Sequence, residues 1–200
     1  MHELIRACPL GVLVSVGANG LEANHIPFIL QESSSGSVTL LGHVARANRI
    51  WESPEAVGSV LVIFQGPAAY ISPSWYPAKQ AHGKVVPTWN YVAVHARGTL
   101  RFCHDASWIR YQLELLTRHM ESGRQDAWAV SDAPPEYIEK LLAHVVGIEI
   151  TVESLIGKWK VSQNQPEANR AGVVQGLAQT GDSAAADLAR LVAAYSSVAR

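Results

Sequence analysis

The chain has 200 residues, 48% of them hydrophobic and 16% charged, with a formal net charge of -1. That balance supports a packed core and excludes a disordered chain or a broadly basic surface for nucleic acid. Cys8 and Cys103 are too few for a disulfide scaffold, and no apolar run reads as a signal peptide or membrane span, so a reducing cytoplasm is the expected setting.

Met1 to Cys8 reads as a helix stopped by Pro9. Leu10 to Val16 is a strand. Ala18-Asn19-Gly20 signals a tight hairpin, and Leu21 to Leu30 is the return strand, with Pro27 marking an edge or a bulge. Ser33 to Gly36 is a second turn, and Val38 to Val44 a third strand. A short helix or turn over Ala45 to Trp51 ends at Pro54. Gly58 to Phe64 is a fourth strand, expected to turn at Gly66-Pro67. A stiff, aromatic, proline-rich loop follows, running to Asn90 past Lys79, His82 and Lys84.

Tyr91 to Phe102 alternates cleanly. Val92, Val94, Ala96, Gly98, Leu100 and Phe102 share one face, and His95, Arg97, Thr99 and Arg101 share the other. Asp105 caps a helix over Ala106 to His119, whose apolar face is read at Trp108, Tyr111, Leu115 and Met120. Pro134-Pro135 opens a helix to about His144. Val145 to Leu155 is a strand that Gly157 to Val161 continues after a bulge. Helices follow from Pro166 to about Gly176 and from Asp182 to the end. The main domain is therefore placed at residues 1–176, with a helical tail at 177–200. Hairpin-linked strands followed by helices predict a mainly β (α+β) fold, an antiparallel β-barrel with peripheral helices, and exclude a doubly wound sheet.

The sequence carries no Walker loop, GxGxxG, GxSxG, HExxH or EF-hand pattern. Its eight histidines have no metal-ligand spacing, and His95 beside Arg97 lacks a visible third ligand. Three stretches carry chemistry. In GHVARAN, Gly42 to Asn48, a strand gives way to a helical turn with Arg46 at the junction. It reads equally as an anion site or as a helix start with a solvated arginine. In GKWKVSQN, Gly157 to Asn164, both lysines point one way and Trp159 the other. That pattern suits a phosphate, or a solvated edge strand. Trp75, Tyr76, Trp89 and Tyr91 can be core or can stack on a ring. Ser72, Ser74, Lys84, Thr88 and Asn90 around them favour a pocket.

These stretches, with VIFQGP (62–67), YISPSWY (70–76), HGKVVPTWNY (82–91), His95 and GIEI (147–150), resemble the PaiB-type FMN-binding negative transcriptional regulators. The likeness runs from Leu4 to about Gly176, and relatives of this type usually carry a longer segment before Leu4. The resemblance implies an FMN-binding split barrel related to pyridoxamine-phosphate oxidases and flavin reductases, paired as a homodimer with FMN at the subunit interface. It implies His43, Arg46 and Asn48 near the phosphate, and Thr88, Trp89 and Asn90 along the flavin edge. Lys158, Lys160 and Gln163 would close the site, and Trp75 and Lys84 would lie in its wall. It leaves the catalytic residues unassigned, and the histidine spacing itself points to no metal.

The resemblance implies repression, acting indirectly or by flavin sensing. An FMN-dependent oxidoreductase or flavin reductase is the alternative, with His43, His82 and His95 as candidate proton carriers. A haem-binding protein with His82 or His95 as axial ligand is a second alternative. Direct DNA binding is disfavoured by charge and by the lack of a recognition helix.

Overall fold

The computed structural model describes residues 1–17, 20–53 and 57–198, with side chains described as far as 195. The expected hairpin residues Ala18 and Asn19, and the helix stop at Pro54, lie outside the described residues. The chain forms two compact units. Unit 1 holds Met1–Phe64 and Val94–Ile156, and unit 2 holds Gln65–Ala93 and Gly157–Arg200.

Among the described residues seven strands form: β1 (Leu10–Gly17), β2 (Gly20–Pro27), β3 (Ile29–Glu32), β4 (Val38–Ala45), β5 (Gly58–Ile71), β6 (Thr88–Cys103) and β7 (Val145–Lys160). Six helices accompany them: α1 (His2–Ala7), α2 (Ala78–His82), α3 (Ala106–Glu121), α4 (Pro135–Leu142), α5 (Glu167–Ala178) and α6 (Ser183–Val198). The strands hydrogen-bond in the order β2-β1-β5-β6-β7-β4-β3. The ladders β1–β2, β1–β5, β3–β4 and β4–β7 are antiparallel, with Leu10 opposite Pro27, Val12 opposite Ile63 and Leu41 opposite Glu149.

The expected split barrel is not what forms. The sheet is open, with β2 and β3 at its two edges, and the fold is a mixed α and β arrangement around a seven-stranded sheet. The reason lies in the chain itself. The expected single return strand breaks at Phe28, so β2 and β3 follow one another end to end. Segments joined by one residue have no turn to bring them side by side, and Pro27 lacks the amide that a ladder would use. Period-two patterning reports which face of a strand is buried, not which edges pair.

In unit 1 the core is built from alternating strand residues, among them Leu13, Ile26, Leu40, Val62, Val94, Leu100 and Ile148. Phe28 and Phe64 meet edge to face, their ring centroids 6.1 Å apart. The alternation read along β6 holds to Arg101, with Val94, Ala96 and Leu100 buried and His95, Arg97, Thr99 and Arg101 exposed, and slips at the strand's end, where Phe102 is half-buried and Cys103 buried. The expected face of α3 does not hold. Ile109, Gln112 and Leu116 are its buried residues, while Tyr111 and Met120 are exposed. Ile109 joins Val130, Ile138 and Leu142 in a second apolar cluster, with Trp108 packed against it. The Trp108 ring fills the space beside Gly147, where a Cβ would run into it.

In unit 2 the core includes Ile71, Tyr76, Val161, Val173, Leu177, Leu188 and Val192. The turn expected at Gly66-Pro67 is absent, because β5 runs on to Ile71. A proline with fixed φ is compatible with an extended strand wherever its N–H is not needed. Ser72 then caps a 3-10 turn, Pro73–Trp75, its hydroxyl accepting the Ser74 amide at 3.2 Å. Trp75 packs on α5, where Gly172 leaves room for its carbonyl and Gly176 for its indole. β7 continues to Lys160 without the expected interruption, and α6 buries Ala185, Leu188, Ala189 and Val192 on one face.

Candidate functional site

Each unit carries a cavity. The unit 1 cavity, about 540 Å³, lies between the Glu114–Glu121 stripe of α3 and the loop carrying Trp128. Glu114 and Glu121 line it, and Glu121 is already engaged by the Trp128 amide at 3.3 Å and by Arg124 at 3.5 Å. Its two carboxylates outnumber the one guanidinium of its lining, Arg118, and oppose an anionic ligand despite its greater volume.

The unit 2 cavity, about 350 Å³, is walled by Thr88 and Asn90 of β6, Lys158 and Lys160 of β7, the Ser162–Gln165 turn, Tyr76 and Val86. No carboxylate lines it. Strand alternation sends Lys158 and Lys160 to the same side. The Lys160 ammonium donates to the Thr88 hydroxyl at 2.7 Å, which fixes a flexible cation in place. Asn90, 1% exposed, donates its amide to the Ser162 hydroxyl at 2.7 Å. Ser162 has φ +59°, the one non-glycine residue in the left-handed region among those described. Such strain persists where surrounding bonds over-determine it, and it clusters at functional sites.

The turn after β7 is held by its own side chains. Gln163 accepts the Val161 amide at 2.9 Å and donates to the Trp159 carbonyl at 2.8 Å. The Gln165 amide donates to the Ser162 carbonyl at 3.0 Å, and Asn169 donates to the Gln165 side-chain oxygen at 3.0 Å. Tyr76, 4% exposed, forms part of the wall, and burial pushes its phenol pKa up, so it stays protonated at neutral pH.

Thr88, Asn90, Lys158, Lys160 and Gln163, singled out from sequence, thus meet at one cavity. The others lie elsewhere. Trp75 is taken up by packing on Gly176. Trp89 is 57% exposed and meets Tyr70 edge to face at 6.3 Å. Lys84 is exposed, with its main-chain amide donating to His82 Nδ1 at 3.0 Å. His43, Arg46 and Asn48 belong to unit 1. His43 Nδ1 lies 2.9 Å from Gln112 Oε1, and burial lowers the imidazole pKa against the opposing effect of that hydrogen bond. Arg46 donates to the Ala143 and Val145 carbonyls at 2.8 and 3.1 Å and lies over the Trp51 ring at 5.5 Å. The junction amides of Arg46 and Asn48 donate to His144 and Ala45, so this corner spends much of its donor capacity within the protein.

Asn48 accepts the Ile50 amide at 3.1 Å and donates to Asn24 at 2.7 Å. Tyr76 is one of the four aromatics whose use the sequence leaves open, whereas Val86 and Gln165 carry no distinguishing signal beyond lying near the aromatic loop and the GKWKVSQN stretch. Neither cavity is lined by histidine, and no metal-binding cluster occurs among the described residues.

A donor-rich, carboxylate-free cavity on a sheet-and-helix scaffold has the chemistry to suit a small anionic ligand. The family described as "Putative FMN-binding domain" matches residues 1–154, and the chain belongs to this FMN-binding family. Protein AN0679 of Emericella nidulans is 36% identical over 227 aligned positions, covering 96% of this chain and 90% of that protein. Protease synthase and sporulation protein PAI 2 of Bacillus subtilis is 31% identical over 182 positions, covering 91% of this chain and 84% of that protein. Among solved structures, the FAD and heme binding protein from Mycobacterium smegmatis superposes with a TM-score of 0.53. That match covers 80% of this chain and 69% of that one at 16% identity, a likeness of fold alone.

The unit 2 cavity suits FMN in its donor set. Two ammonium groups with no competing carboxylate match a phosphate monoester, and the phenol and amides match a heterocycle rich in acceptors.

Proposed function

We propose that this protein is an FMN-binding regulator of the PaiB type, which seats its flavin in the unit 2 cavity and acts through that flavin rather than by reading DNA. The observation that carries the placement is the pair Lys158 and Lys160 on one side of a cavity without carboxylates. In this reading the lysines take the phosphate, with Thr88 holding Lys160 ready. Asn90 and Ser162 fix the wall, and the Ser162–Gln165 turn borders the ring. Bound FMN supplies reversible electron or hydride transfer, and the chain supplies position and electrostatics.

The regulatory half of the reading rests on the resemblance of the GHVARAN, YISPSWY, HGKVVPTWNY and GKWKVSQN stretches to the PaiB-type regulators. Charge argues against direct DNA binding. The chain is at -1 overall, and Arg101, on the exposed face of β6, is paired with Glu149 at 2.7 Å. A homodimer belongs to the same reading, and the exposed Tyr70, Val86 and Trp89 support it as a surface to be covered. No described helix is long and apolar enough to cross a membrane.

Titration of the full chain with FMN, followed by flavin fluorescence, tests the placement. A Lys158→Ala/Lys160→Ala variant should bind FMN at least tenfold more weakly, because each charge-assisted bond contributes about 1.5–3 kcal/mol. Riboflavin, which lacks the phosphate, should bind the variant and the parent alike. Equal FMN affinity in the two proteins removes the phosphate from this cavity. Turnover of a reduced nicotinamide by the FMN-loaded protein would make it an oxidoreductase instead.

A further inference from the structure

We infer that Tyr76 is a specificity-determining residue whose phenol O–H donates to an acceptor on the flavin ring system, a carbonyl oxygen or a ring nitrogen. The inference rests on the placement of the flavin in the unit 2 cavity. Tyr76 is 4% exposed, lines that cavity, and has no hydrogen-bond partner for its phenol oxygen among the described residues. The phenol oxygen is not one of the described side-chain atoms that are both fully buried and unpartnered, so it keeps access to the cavity's solvent, and a hydroxyl presented there without a protein partner is open to a ligand atom or water.

The main chain around Tyr76 holds the ring still. Its amide donates to the Pro73 carbonyl at 3.1 Å, and its carbonyl accepts the Lys79 amide at 2.9 Å. Lys79 Nζ also donates to the Ser74 hydroxyl at 3.1 Å, bracing the same turn. The 3-10 turn before it is fixed by the Ser72 cap and by Pro73 at its first position. A donor held on a rigid element loses little entropy when it binds.

The division of labour within the cavity follows from desolvation. A phosphate dianion belongs with the ammonium groups at the exposed Lys158, because burying a charge without a counter-charge is costly. The more deeply buried phenol is neutral, and burial keeps it protonated. It therefore suits the uncharged ring, whose acceptors outnumber its single N–H. The only charged side chains lining the cavity are Lys158 and Lys160, so nothing anionic there competes for the phenol proton.

The test is a pair of titrations, with FMN and with riboflavin, on the full chain and on Tyr76→Phe, a change that removes one oxygen and keeps the ring. Loss of a neutral hydrogen bond should weaken both ligands by the same factor, roughly fivefold. In parallel, infrared difference spectroscopy of bound FMN should show one band shifted in the variant: a carbonyl stretch moved to higher frequency where the phenol serves an oxygen, or a ring C=N band where it serves a nitrogen. Unchanged affinity for both flavins overturns the assignment, whatever the lysine variant does. A loss confined to FMN also overturns it, since the phenol would then serve the phosphate. An unaffected lysine variant overturns the phosphate placement and leaves Tyr76 to be judged by its own two titrations.

Discussion

Asn90 and Ser162 show how much one buried pair can hold. The Asn90 amide and the Ser162 hydroxyl are 2.7 Å apart, and Ser162 pays for its place with a left-handed backbone. Ser162→Ala and Ser162→Gly both remove the acceptor and leave the Asn90 amide buried without its partner. Only glycine also relieves the backbone. In urea denaturation the alanine variant should be the less stable of the two by about 1 kcal/mol, and equal stabilities would mean that φ +59° carries no strain. His43 offers a second test at this scale. Burial lowers its pKa from the ordinary 6.5, so the unfolded chain takes up the proton first as pH falls. Its contribution is complete above about pH 6.5 and is lost as pH drops through the folded value. The stability difference between the parent and His43→Gln should therefore shrink on acidification, which urea midpoints over that range would measure.

At the scale of elements, α3 and α5 make opposite points about packing. Sequence places Trp108, Tyr111, Leu115 and Met120 on the inner face of α3, yet Ile109, Gln112 and Leu116 are the buried set. Truncating Ile109 to alanine should destabilise by about 2–5 kcal/mol. Met120→Ala should stay within about 0.5 kcal/mol. Chemical denaturation that ranked them the other way would restore the aromatic face. On α5, Gly172 and Gly176 lie one turn apart under Trp75. Gly176→Ala gains about 1 kcal/mol of helix propensity, but its methyl group would enter the indole ring. Overpacking of about 1–3 kcal/mol should win, lowering the melting temperature instead of raising it.

For the whole molecule, the cofactor is a source of stability by mass action. FMN at a hundredfold excess over its dissociation constant should add about 2.7 kcal/mol, or roughly 5–10 °C in the melting temperature of a chain of this size. Riboflavin should add less at the same concentration, and the Lys158→Ala/Lys160→Ala variant should show no difference between the two flavins. An equal rise with both flavins in the parent would mean that the phosphate is not held.

Local chemistry made much of this protein readable before folding. The alternation along β6, the Asp105 cap of α3 and the paired lysines of GKWKVSQN are patterns of neighbouring residues, and neighbours are what sequence reports directly. The cavity residues Thr88, Asn90, Lys158 and Lys160 were legible because hydroxyl, amide and ammonium groups cluster in two short stretches. The sheet's order was not legible: β2 and β3 pair only with their hairpin neighbours β1 and β4, the distant ladders are β1–β5 and β4–β7, and no residue pattern announces an open edge. Nor was the use of each aromatic. Trp75 packs on a glycine a hundred residues later, Trp89 stays exposed, and Tyr76 sits in a cavity wall with its phenol unpaired. One side-chain type can serve all three ends, and only the neighbours brought by tertiary structure decide which, because burial and partners are properties of the folded surroundings.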